Sequence, residues 1–224
     1  MVDALPYVIG LCQATGAVMS LSGLLILLYD ASISKERRSP GHISLAILFF
    51  FGLLFESLLI LRLFISPSFY EYWLINDLAH LFGLLTASSI LILAIVVYQV
   101  PWMYKFPFIA SIPFFGVFIA RFFIGDSAVF YFEIYYIIAS IFVTILAAIY
   151  FMKLYLDLKI LNHGVYISSS LILMVGNIFE LLGRQSMLEL LAVGAMLHAV
   201  FFIAMFATTL NLLEVFVQKD IRYA

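Results

Sequence analysis

The feature that most constrains this chain is a series of apolar stretches of about 20 residues each, at roughly 6–29, 42–65, 73–98, 107–124, 128–152, 163–183 and 188–214. A helix rises ~1.5 Å per residue, so about 20 apolar residues cross a ~30 Å hydrocarbon core. Lipid offers no partner to backbone N–H and C=O groups, which leaves helix as the conformation for such runs. The stretches therefore predict an all-α integral membrane protein built as a seven-transmembrane-helix bundle. They use up nearly all of the 224 residues, so the chain reads as one transmembrane domain, 1–224, with any chemistry inside the bundle or at its rims. Composition agrees, because 66% of residues are hydrophobic and only 11% charged, whereas a soluble surface needs about 25%. A net charge of −2 with no basic run gives nucleic-acid phosphates nothing to bind. The expected partner is the lipid bilayer, with a homo-oligomer or partner membrane subunits left open.

Charge sets the expected orientation. The start, Met1-Val-Asp-Ala-Leu-Pro-Tyr, carries an acid where a signal peptide needs cations, and Lys35, Arg37 and Arg38 follow the first stretch, so it reads as a retained span. With the amino terminus outside, Lys35, Arg37, Arg38, Lys105, Lys153, Lys159, Lys219 and Arg222 fall on the inner side, and Arg62, Arg121 and Arg184 on the outer. That asymmetry predicts amino terminus out and carboxy terminus cytoplasmic, with the plasma (cytoplasmic) membrane as the expected location. The single cysteine, Cys12, can form no internal disulfide and has no CxxC or Cys/His partner for zinc.

The first three and last three stretches also read as two copies of one unit, 6–98 and 128–214, bridged by the proline-flanked 107–124. Tyr29 and His42 match Tyr150 and His163 at one offset, Phe55-Glu56 matches Phe179-Glu180, and Ala87-Ser88-Ser89 matches Ala207-Thr208-Thr209. A 3+1+3 arrangement makes the copies parallel, related by an axis along the membrane normal.

Ionisable groups at membrane depth are costly unless paired or facing a cavity, so each is a candidate for function. Counted from the outer edges, Glu56, His80 and His198 fall ~12–15 Å deep. Asp77, Glu133, Asn177 and Glu180 lie nearer the outside, under a rim of Arg62, Arg121 and Arg184. Asp77 and His80 are three residues apart, as are Asn177 and Glu180, so each pair shares a helix face. If the repeat holds, Glu56 with His80 and Glu180 with His198 are equivalent pairs, and the four are expected to face one another. Carboxylates with imidazoles suit a divalent metal. The histidines also fall into two levels, His80 with His198 and, as a second pair, His42 with His163. Two such levels ~21 Å apart suit stacked b-type haems. In that one respect, four residues, the pattern resembles di-haem transmembrane cytochromes b. Helix-start solvation explains His42, after Ser39-Pro40-Gly41, and His163, after Asn162, more simply.

The seventh stretch has no lysine for a retinal Schiff base, and no HExxH, GxSxG, HxxxH or Walker pattern occurs. Gly16, Ser20 and Gly23 form a small-residue stripe that reads as a packing seam. Thr86, Ser88, Ser89, Thr208 and Thr209 read as hydroxyls bonded back to their own helices. Three functions remain open. The leading one is proton- or cation-coupled transport of a small solute or ion through the Glu/His site. The second is a redox subunit using His80 and His198, with Glu56 and Glu180, as haem or metal ligands. The third is a sensor or assembly subunit without a site.

Overall fold

A computed structural model describes residues 4–33, 39–66, 68–98, 119, 123, 127–158, 161–183 and 187–223. Six helices carry them: α1 (Leu5–Ile33), α2 (Pro40–Arg62), α3 (Tyr70–Tyr98), α4 (Ser127–Leu158), α5 (Leu161–Gly183) and α6 (Leu188–Tyr223). Each contains a window long and apolar enough to span a bilayer. Among the described residues there is no strand. The expected fourth span, 107–124, lies outside the described residues apart from Ile119 and Phe123.

Local chemistry accounts for the helix ends. Ser39 caps α2 by accepting the His42 backbone N–H at 3.3 Å, and Pro40 fills the first turn, where its missing N–H costs nothing. After Arg62, Leu63 and Phe64 close a tight turn on the carbonyls of Ile60 and Leu61, which returns the chain into α3. Hydroxyls inside the helices bond backwards: Thr86, Ser89, Thr208 and Thr209 donate to carbonyls four residues earlier at 2.7–2.9 Å. That satisfies them without a neighbour.

The helices close into a ring in which α1 packs on α2, α2 on α3, α3 on α4, α4 on α5, α5 on α6, and α6 back on α1. The end carrying Leu5, Arg62 and Tyr70 is called the upper end below, and the end carrying Ile33, Pro40 and Leu161 the lower. α3 lies deepest, with 78% of its apolar window buried against 28% for α1, and it also touches α5 across the middle. Outward faces are apolar along the ring, with Leu11, Val18, Leu25, Phe50, Ile138, Ile149, Leu182 and Val200 all exposed. A soluble monomer does not expose so continuous an apolar belt; hydrocarbon covers it at no cost. The chain is thus a polytopic membrane protein.

Small residues bring the helices close. Along α1 and α2 the antiparallel register runs evenly: Gly10 meets Leu63, Gly16 meets Glu56, Ser20 faces Gly52, Gly23 meets Phe49, and Asp30 meets His42. A Cβ at Gly23 would come within 2.7 Å of the Phe49 ring, and one at Gly52 would run into the Phe202 ring. The stripe is indeed a seam, and it seats two aromatic rings. Both rings belong to the buried apolar core, together with Phe55 and Phe201. Above them lies a layer of polar side chains; below them His42 Nε2 approaches Asp30 Oδ2 at 3.6 Å.

Candidate functional site: a buried polar layer in the upper half

Every described helix sends a polar side chain into this layer. α1 supplies Gln13, α2 Glu56 and Arg62, α3 Asn76, Asp77 and His80, α4 Tyr136 and Ser140, α5 Asn177 and Glu180, and α6 His198. None of them is more than 2% exposed. So dense a polar set inside 66% apolar sequence is where backbone geometry and charge have to be matched most closely.

Two bonded groups form the layer. In the first, Arg62 Nη1 donates to Glu180 Oε1 at 3.0 Å and to Asn76 Oδ1 at 2.7 Å, joining α2, α5 and α3. Arg62 was expected on the rim; its guanidinium instead reaches inward from the last turn of α2. In the second, Asn177 Nδ2 donates to Ser140 Oγ at 2.9 Å, which turns Asn177 Oδ1 toward His198 Nε2, 3.0 Å away. An amide oxygen only accepts, so His198 Nε2 carries a hydrogen and donates. The remaining nitrogen, Nδ1, faces Glu56 Oε1 at 3.7 Å, with both side chains fully buried. That separation is longer than a direct hydrogen bond.

Glycines permit this geometry. A Cβ at Gly16 would lie 3.0 Å from the Glu56 carboxyl carbon, and one at Gly176 would lie 2.6 Å from His198 Cδ2. A Cβ at Gly194 would meet the α5 backbone at Glu180 N, 2.8 Å away, so α5 and α6 touch main chain to main chain. The Phe55 ring meets the His198 imidazole edge-on, centroids 5.0 Å apart.

Of the sequence-predicted residues, Glu56 and His198 come together, as do Asn177 and His198. Glu180 goes to Arg62. His80 bonds the Asn76 carbonyl of its own helix through Nδ1 and packs its ring edge-on against Tyr136, centroids 4.7 Å apart. Asp77 is buried in the layer beside them. The carboxylates thus take partners of different kinds, an imidazole for Glu56 and a guanidinium for Glu180. At the lower end His42 bonds Ser39 Oγ at 2.7 Å and pairs with Asp30, whereas His163 stacks on Phe151. Arg121 and Arg184 lie outside the described residues, and so does the side chain of Glu133, whose backbone is in α4.

Gln13, Asn76, Tyr136 and Ser140 complete the layer and escape sequence reasoning. Gln13 is three residues from Gly16 on the small-residue stripe, and Asn76 is four from His80; both spacings share a helix face. Several polar atoms have no hydrogen-bond partner among the described residues: both oxygens of Glu56, both amide atoms of Gln13, Ser20 Oγ, Arg62 Nη2 and Asn76 Nδ2. No three His, Cys, Asp or Glu side chains converge as a metal site among the described residues. No protein-family model matches the chain, and no curated protein or solved structure is similar to it.

Proposed function

We propose that the chain carries protons or a small cation across the membrane, in step with a small solute or ion, and that Glu56 and His198 are the pair that holds the moving charge. The observation that carries this reading is the 3.7 Å approach of His198 Nδ1 to Glu56 Oε1 with no exposure of either. Because Nε2 already holds a hydrogen for Asn177, Nδ1 in the neutral ring is a bare acceptor facing a second acceptor. One proton resolves the conflict, on the carboxyl as a neutral acid or on the imidazole as an ion pair. The two placements are close in geometry, which is what a relay site needs. Glu180 already has Arg62 as its counter-ion, so the neighbouring charge is balanced and the Glu56 proton is the variable one.

The apolar floor of Phe49 and Phe202 supports the same reading, because a carrier must keep its ion site from opening to both sides at once. With the amino terminus outside, the polar layer belongs to the outer half and Asp30–His42 to the inner end. The redox reading has less support: an axial ligand needs an imidazole nitrogen turned to the iron, and His198 has one committed to Asn177 and the other facing Glu56.

The test is proton flux into proteoliposomes under an imposed potassium-diffusion potential, followed with an entrapped pH dye. Glu56→Gln and His198→Ala should each lower flux by about tenfold or more, in the range of a lost proton-transfer group. His42→Ala, below the aromatic floor, should stay within about twofold of the parent. Parent-level flux in Glu56→Gln would refute the proposal.

A further inference from the structure

The α1 edge of the layer contains more unmet polarity than a proton relay uses. Gly16 lies against the Glu56 carboxyl. One turn above it on the same buried stripe is Gln13, and one turn below is Ser20, whose hydroxyl faces Gly52 on α2. Glu56 Oε1 and Oε2, Gln13 Oε1 and Ser20 Oγ are therefore four oxygens within about two helical turns, on two helices in steady register. All belong to fully buried residues, and none has a hydrogen-bond partner among the described residues. A buried amide left unmet forfeits the hydrogen bonds water gave it, so Gln13 is an expensive residue to place here without a ligand.

The donor set limits what that ligand is. Every atom is a hard oxygen, which favours alkali and alkaline-earth ions over zinc or copper. Only one of the three side chains, Glu56, brings a formal charge, and a second carboxylate, Glu180, is already held by Arg62. Divalent calcium is bound by six to eight oxygens drawn from several carboxylates, and magnesium by near-ideal octahedra. One carboxylate with an amide and a hydroxyl suits a single positive charge.

We propose that Gln13, Ser20 and Glu56 form a binding site for one monovalent alkali cation, sodium being the probe, on the α1–α2 side of the polar layer. The inference rests on the reading of Glu56 as an ion-holding group and names the ion. The cation neutralises the Glu56 carboxylate, takes the amide oxygen of Gln13 from above and the Ser20 hydroxyl oxygen from below, and leaves the His198–Asn177–Ser140 chain in place. Gly16 and Gly52 matter because a Cβ at Gly16 would press on the Glu56 carboxyl and one at Gly52 on the Phe202 ring and on Ser20 Oγ, 3.1 Å away.

Equilibrium binding of radioactive sodium to the full-length purified protein tests this, with thermal unfolding in sodium chloride and choline chloride as a second readout. The parent protein should bind about one sodium per chain saturably, and sodium but not choline should raise its unfolding temperature. Glu56→Gln should abolish both effects. Gln13→Leu should raise the half-saturating sodium concentration by about tenfold or more while the protein stays monodisperse and folded in choline. Ser20→Ala should raise it less. No saturable sodium binding by the parent protein would overturn the inference, as would binding that Gln13→Leu and Glu56→Gln leave unchanged. If sodium fails to bind while proton flux still depends on Glu56, the cation site falls and the proton reading stands. If Glu56→Gln leaves flux intact as well, both fall.

Discussion

Arg62 and Glu180 offer the most direct energetic test of the polar layer. Their 3.0 Å ion pair is 2% and 1% exposed, and the same Arg62 nitrogen also bonds Asn76 at 2.7 Å. Arg62→Met removes the cation and leaves Glu180 as a buried charge with its counter-ion gone, together with an unmet Asn76 oxygen. Breaking a buried pair from one side typically costs about 3–5 kcal/mol, most of it from the charge left behind. Neutral interhelical hydrogen bonds in membranes average only about 0.6 kcal/mol, with a maximum near 1.7. Ser140→Ala, which removes the acceptor for Asn177, should therefore cost about 1 kcal/mol or less. The double variant Arg62→Met with Glu180→Met removes both charges, so it should be less destabilised than Arg62→Met alone. The assay is reversible unfolding in mixed detergent micelles, with the four proteins closing a double-mutant cycle and a coupling energy of about 2 kcal/mol or more expected. A cost below about 1 kcal/mol for Arg62→Met with an additive cycle would refute a buried Arg62–Glu180 pair. Arg62 stands in the last turn of α2, and that result would mean its guanidinium snorkels to the interface instead of closing the layer.

Two glycine substitutions test how the site is positioned. A Cβ on Gly176 would sit 2.6 Å from His198 Cδ2 and 2.9 Å from Nε2, so Gly176→Ala must push the imidazole off Asn177. A stability loss of about 1–3 kcal/mol is expected, with a fall in proton flux, whereas Gly164→Ala, with Tyr155 carbons at 3.7 Å, should do neither. At the top of α5, a Cβ on Gly183 would run into the Leu191 backbone nitrogen. Main chain cannot rotate away as a ring can, so Gly183→Ala should lower the unfolding temperature more than Gly176→Ala does; the reverse order would show that the α5–α6 turn yields more readily than the site.

The helices were legible because the bilayer sets their length. The stretches read at 42–65, 73–98 and 163–183 correspond to α2, α3 and α5 within about three residues, the uncertainty usual for helix ends. That Glu56 and His198 stand at one level, 3.7 Å apart, was legible for the same reason, since a fixed rise per residue converts position in a span into height. Facing was harder to read. α1 is apolar on nearly every side, so its inward face is marked by Gly16, Ser20 and Gly23 and not by hydrophobic periodicity, and Gln13 belongs to the site because it shares that stripe. Partnering was hardest. Glu56 and Glu180 look equivalent in sequence, each after a phenylalanine at similar depth. Yet Glu56, lying against Gly16, meets an imidazole from α6, and Glu180 meets a guanidinium from α2. The difference comes from which helices are neighbours. Arg62 stands in the last turn of α2 and reaches α5, while Gly183 at the end of α5 packs against Leu191 of α6 and Gly176 lies against His198. Matching residues in sequence therefore need not take matching partners, and under the proposed function it is Glu56, the acid that faces an imidazole, that holds the mobile charge.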